Sequence, residues 1–167
     1  QRFIIPQLNR RQGLAVYLDS DMLVFHDIQE LVALHERTAA VSSAVAPPDS
    51  GRRPQYSVMV IDCARAQWNF EDIARLAEQT YEGAMFELEF EPAKRSCLPY
   101  QWNSLERLDP DTRLLHFTDM DKQPWISNAN PLAPVWFDAL FAAMADQRIS
   151  FDDIVQDVQR GWIRPGV

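Results

Sequence analysis

Three apolar runs along the chain predict the strands of a sheet. They cover residues 14–18, 57–62 and 113–117, and the first two have the continuous hydrophobicity of buried strands. A weaker alternation over residues 39–46 indicates one more strand. We expect the three runs to share one mixed sheet.

Between these runs and after them, apolar residues recur with helical spacing. Three helices are predicted, over residues 70–81, 135–145 and 151–160. Asn69 is a suitable N-cap for the first, and Ser150 with Asp153 has the spacing of a capping box at the start of the last. Because strands alternate with helices, the pattern predicts the α/β class, with helices flanking the sheet.

Composition narrows the range of partners. The 167 residues suit a single domain over 1–167, and the net charge of −8 argues against nucleic acid, since no basic stripe is present to neutralise phosphates. No apolar stretch approaches the ~20 residues that span a bilayer, so we expect no transmembrane segment and a cytoplasmic protein. The chain begins with Gln1 and runs almost directly into a strand, which suggests a piece of something longer.

Two carboxylates directly follow the first strand. Asp19 and Asp21 are two residues apart, so their side chains point to the same side of an extended chain. Carboxylate oxygens are hard ligands suited to Mg²⁺ or Mn²⁺, and the end of a strand in an α/β sheet is a place where ligands bind. A divalent metal ion at such a place commonly holds a diphosphate. Apolar residues on both sides of the pair raise its desolvation cost unless a cation compensates.

The third strand carries a histidine at its end and a lysine in the loop beyond. A neutral imidazole at His116 can complete a metal site that two carboxylates begin. Lys122, six residues on, can reach a phosphate as a point charge. Trp125 is expected to pack this loop onto the core.

These segments resemble those of glycosyltransferase family 8. Residues 14–31, LAVYLDSDMLVFHDIQEL, are similar to its Asp-x-Asp segment, and residues 116–125, HFTDMDKQPW, to its His-x-x-Gly-x-x-Lys-Pro-Trp segment. Residues 56–62, YSVMVID, resemble its Asn-Ser-Gly-Val-Met strand. The order and spacing fit over most of the chain.

The resemblance implies a GT-A fold and the retaining transfer of a hexose from a nucleotide sugar, usually a UDP-sugar, to a saccharide or glycan acceptor. It implies Mn²⁺, with Mg²⁺ as a second choice, held by Asp19, Asp21 and His116, and a diphosphate contact from Lys122. Donor-sugar contacts would fall at Gln55 and Ser57. In that family, nucleoside-binding units precede the Asp-x-Asp strand, so this chain would be the C-terminal portion of a longer domain that lacks them here.

The chain departs from the family pattern at several places, among them Gln55-Tyr56-Ser57, which stands where Asn-Ser-Gly is expected. Asp119 replaces the glycine of the histidine motif, and Gln123 is inserted between the lysine and the proline. The Asp-Gln pair that often contacts the donor sugar is absent near residues 80–90, where Glu82, Glu87 and Glu89 stand instead. No residue can be assigned as a catalytic nucleophile.

Two other functions remain open. A haloacid-dehalogenase-like phosphohydrolase also places Asp-x-Asp after an apolar strand, with the first aspartate as nucleophile, but it leaves the His116–Trp125 segment without a role. A non-catalytic glycosyltransferase-like module for binding or assembly is favoured by Asp119 and by the few residues ahead of the first strand.

Overall fold

The computed structural model describes residues 2–48, 50–52 and 56–166, so the predicted donor contact Gln55 lies outside the described residues. Within these ranges the chain forms seven β-strands and six α-helices. The strands are β1 Leu14–Leu18, β2 Met22–Val24, β3 Val41–Ala44, β4 Val58–Asp62, β5 Lys94–Leu98, β6 Ser104–Leu105 and β7 Leu114–His116. The helices are α1 Ile5–Leu8, α2 Ile28–Ala33, α3 Phe70–Gln79, α4 Tyr81–Met85, α5 Ala133–Ala145 and α6 Phe151–Gln159.

A four-stranded mixed sheet has the order β1-β4-β3-β5. Strand β4 pairs antiparallel with both β1 and β3, and β3 pairs parallel with β5. The strands predicted over 14–18, 57–62 and 39–46 are thus confirmed. The mixed α/β class is confirmed as well.

A second sheet of three strands has the order β2-β7-β6. The run at 113–117 does form a strand, β7, but our prediction that it shares a sheet with the other two runs is wrong. The chain bends at Ser20, and Met22–Val24 then pairs antiparallel with β7 in the second sheet. The sequence did not show this, because residues 14–18 and 22–25 are apolar on both sides of the bend and nothing in that pattern indicates that the chain passes to another sheet.

The four-stranded sheet packs an apolar cluster on each face. Along β4, Met59 and Ile61 belong to one cluster, and Val58 and Val60 to the other. This two-sided burial explains the continuous apolar run, since alternation appears only when one face of a strand meets water. Strand β1 was predicted to be buried but is half-buried, because it lies at an edge of the sheet.

The helices begin where the capping residues predict. Asn69 accepts hydrogen bonds from Glu71 and Asp72 at the start of α3, and the Ser150–Asp153 capping box opens α6. The single helix predicted over 70–81 ends earlier, because Thr80 is extended and its side chain caps a separate helix, α4. No helix within the described residues has both the length and the apolar character needed to cross a membrane.

Leu114 tests the core that supports the second sheet. Its side chain is fully buried in a cluster with Trp102, Leu98 and Val58. Leu114→Ala should lower the free energy of unfolding in urea by about 2–5 kcal/mol, because it removes buried methyl groups and leaves a cavity. Leu114→Met, which conserves the volume, should cost less than about 1.5 kcal/mol. Equal losses in the two variants would show that the packing of this side chain does not matter.

Candidate metal centre

The Asp19-Ser20-Asp21 segment connects the two sheets and is held to both by backbone hydrogen bonds. The amide of Asp19 donates to the carbonyl of Ser57 at 3.1 Å, which extends the pairing of β1 with β4. The amide of Phe117 donates to the carbonyl of Asp21 at 2.9 Å, which extends the pairing of β2 with β7. Both carboxylates are therefore carried on a backbone that the sheets fix in place.

The register of β2 with β7 brings His116 to the carboxylates. His116 lies opposite Met22, the residue after Asp21, and its Nε2 is 3.1 Å from Asp21 Oδ1. Ligand atoms of Asp19, Asp21 and His116 all lie within 4.8 Å of one another. Two ligand atoms at about 2.1 Å from one ion lie at most about 4.2 Å apart. The ligand atoms of these side chains therefore have to approach one another by less than about 1 Å to bind one ion.

The imidazole of His116 is held in one tautomer. Its Nδ1 lies 2.8 Å from the side-chain oxygen of Asn103, and this contact is buried. An amide oxygen only accepts, so Nδ1 donates and Nε2 of the neutral ring presents its lone pair. A histidine oriented in this way through its other nitrogen is the usual arrangement of a metal ligand.

One oxygen of the site lacks a hydrogen-bond donor. Asp21 Oδ1 is buried and accepts no hydrogen bond from any described residue, although it faces Nε2 of His116. In the tautomer set by Asn103, a lone pair and a carboxylate oxygen are thus held 3.1 Å apart. Such a pair is costly in a partly buried place unless a cation lies between them. The three side chains therefore fit a divalent metal ion.

Two further side chains position the carboxylates. The hydroxyl of Tyr17 donates to Asp19 Oδ1 at 2.6 Å, and burial together with this hydrogen bond raises the pKa of Tyr17 to about 12, so it remains a donor. Gln123 is buried, and its Nε2 donates to Asp21 Oδ2 at 3.2 Å and to the carbonyl of Phe117 at 2.9 Å. The residue inserted into the family motif thus contacts a candidate ligand.

Sequence reasoning missed these supporting residues. The hydrogen bond of Tyr17 could have been predicted, because Tyr17 lies two residues before Asp19 on the same face of the strand. The contact of Asn103 could not, because only the fold places Asn103 beside His116, which lies thirteen residues further along the chain.

The candidate ligands line a cleft of about 300 Å³. Ser57 lies on its wall, and the described arginine and lysine side chains that line it are those of Arg2 and Arg52. Arg2 donates to the backbone carbonyls of Tyr56 and Met85. Neither arginine was expected here from the sequence.

Lys122 is held in an ion pair outside this lining. Its ammonium lies 3.0 Å from Asp119 Oδ2, the side chain is 59% exposed, and the hydrogen bond that it donates to Asp119 raises the pKa of Lys122. The loop itself is anchored as expected, since the ring of Trp125 packs 5.9 Å from that of Phe117 and 5.7 Å from that of Trp136. The predicted diphosphate contact of Lys122 stays a prediction.

Solved glycosyltransferase structures share this fold. The glycosyltransferase GlyE of Streptococcus pneumoniae TIGR4 matches with a TM-score of 0.67 at 21% sequence identity, over 82% of this chain and 41% of that chain. The galactosyltransferase LgtC, in complex with donor and acceptor sugar analogues, matches with a TM-score of 0.59 at 13% identity, over 85% of this chain and 65% of that chain. The GT-A-like fold expected from the sequence is therefore confirmed.

The comparisons with known proteins show the fold of this chain but do not assign it to a family. No protein-family model matches the sequence, and no curated protein matches it either. This chain spans less than half the length of GlyE and about two thirds of that of LgtC. Because one fold hosts many activities, function has to be argued from the site.

Asn103 tests whether the orientation of His116 sets metal affinity. Asn103→Ala removes the acceptor for Nδ1–H, and we expect it to weaken Mn²⁺ binding by about 10–100-fold, measured by titration calorimetry. Asn103→Asp keeps an acceptor oxygen and should retain most of the affinity.

The control for this test is Asn69→Ala. It removes the N-cap of α3 and costs about 1 kcal/mol of stability, but it should leave Mn²⁺ affinity unchanged. Unaltered Mn²⁺ binding by Asn103→Ala would show that the hydrogen bond does not prepare His116 as a ligand.

Proposed function

We propose that this chain carries the metal and diphosphate site of a glycosyltransferase that moves a hexose from a nucleotide sugar to a saccharide acceptor. The observation that carries the proposal is the buried Asp21 oxygen that faces Nε2 of His116, beside Asp19, in a cleft of a glycosyltransferase fold. The resemblance to family 8 supports a UDP-sugar as donor and retention at the anomeric carbon.

Asp19, Asp21 and His116 are the residues that would hold the metal ion. Two carboxylates with one imidazole suit Mn²⁺ better than Mg²⁺, which prefers all-oxygen shells and keeps several waters. When bound, the ion supplies Lewis-acid stabilisation of the negative charge that develops on the departing diphosphate. Tyr17 and Gln123 keep the two carboxylates oriented, and Asn103 keeps the ring of His116 turned so that Nε2 faces Asp21.

The transfer itself exchanges one bond at the anomeric carbon. The bond from that carbon to the diphosphate oxygen breaks, the acceptor oxygen bonds to the same carbon, and the acceptor's hydroxyl proton leaves with the nucleoside diphosphate. We assign no described side chain as nucleophile. Gln55 and Ser57 stay the proposed donor-sugar contacts, and Lys122 would reach the diphosphate only after leaving Asp119.

Asp21 provides the direct test of this function. With a panel of UDP-hexoses and Mn²⁺, the chain should release UDP, and chelation should stop the release. Asp21→Asn should lower the rate by about 100-fold, equivalent to about 2.7 kcal/mol of transition-state stabilisation. Asp121→Asn, at an exposed position in the loop after β7, is the matched control and should change the rate less than about twofold.

Two outcomes would contradict the proposal. Release of UDP that is indifferent to metal would remove the role of the three side chains. Binding of Mn²⁺ and UDP-sugar without any turnover would favour the non-catalytic binding module instead. Circular dichroism of both variants would confirm that each is folded.

A further inference from the structure

An arginine on the loop that follows β3 faces the cleft. Arg52 lines the cleft together with Asp19, Asp21 and His116. Its Nη1 donates to Thr118 Oγ1 at 2.9 Å, and Thr118 lies two residues after His116. This hydrogen bond ties the guanidinium to the segment that carries a candidate metal ligand.

The partner of Arg52 differs in kind from the partner of Lys122. Arg52 donates to a neutral hydroxyl, whereas Lys122 is paired with the carboxylate of Asp119 at 3.0 Å. A phosphate can replace a hydroxyl at a guanidinium and gain a charge-assisted hydrogen bond. To bind the same phosphate, Lys122 must first give up an ion pair.

Arg2, the other arginine of the cleft, is less available. Both of its terminal nitrogens donate to backbone carbonyls, those of Tyr56 and Met85. These contacts hold Arg2 against the wall as a fixed charge. Among the described residues, the guanidinium of Arg52 donates to the hydroxyl of Thr118 alone, so it keeps donors to offer to a ligand.

The charge of the cleft matches a diphosphate. Among the described residues that line it, the two carboxylates and two arginines cancel formally, so a divalent ion would leave two positive charges. The diphosphate of a nucleotide sugar carries two negative charges, and guanidinium presents a planar fork that fits two phosphate oxygens at once. Arginine also keeps its charge at every working pH.

We propose that Arg52, rather than Lys122, is the main side-chain cation that binds the diphosphate in this cleft. The inference rests on the proposed function, because it concerns the same cleft and the same metal. It departs from the family resemblance, which gives that contact to the lysine of the histidine motif.

The experiment measures binding of inorganic pyrophosphate, and then of UDP, to the Mn²⁺-loaded chain by titration calorimetry. Arg52→Ala should weaken both by about tenfold or more, because it removes charge-assisted hydrogen bonds. Arg52→Lys should recover part of the loss. Lys122→Ala should weaken both less than Arg52→Ala does, because Lys122 must first leave Asp119. The control Arg75→Ala, at an exposed arginine of α3, should change either affinity less than twofold.

A second readout separates this inference from the function on which it rests. Mn²⁺ affinity without pyrophosphate should be the same in Arg52→Ala as in the unsubstituted chain. Wild-type pyrophosphate affinity in Arg52→Ala, or a larger loss in Lys122→Ala, would overturn the inference and leave the proposed function intact. Failure of the unsubstituted chain to bind Mn²⁺, or to bind pyrophosphate once loaded, would overturn both.

Discussion

The register of β2 against β7 is the constraint on which the site depends. It places His116 opposite Met22 and so puts Nε2 at 3.1 Å from Asp21 Oδ1. A slip of one residue would turn His116 to the other face of the strand and remove it from the carboxylates. Leu114 and Leu115 lie on opposite faces of β7 and both are fully buried, so the strand that carries His116 is packed on both sides.

Neighbouring polar groups orient each of the three side chains. Asn103 fixes the ring of His116, Tyr17 holds one oxygen of Asp19, and Gln123 holds Asp21 Oδ2. Among the described residues, none donates a hydrogen bond to Asp21 Oδ1. In native structures nearly all buried polar atoms are paired, and a cation bound between Asp21 and His116 would give this oxygen a partner.

Local patterns predicted most of the elements and the three clustered side chains. The strands at β1, β4 and β7 followed from apolar runs, and the starts of α3 and α6 from capping residues, because these signals act between near neighbours in sequence. The division into two sheets, the edge position of β1 and the contacts of Asn103 and Arg52 did not follow. These features depend on which strands pair and on where the loops lie in the fold, and a single sequence gives no direct information about either.

The most direct test of the metal centre is a crystal structure of this chain grown with MnCl₂, with anomalous data collected at the manganese edge. We expect one peak at about 2.0–2.6 Å from oxygens of Asp19 and Asp21 and from Nε2 of His116. We expect Nδ1 of His116 to remain bound to Asn103. A peak elsewhere, such as beside Asp119 and Asp121, or no peak at all with Nε2–H donating to Asp21, would contradict the account.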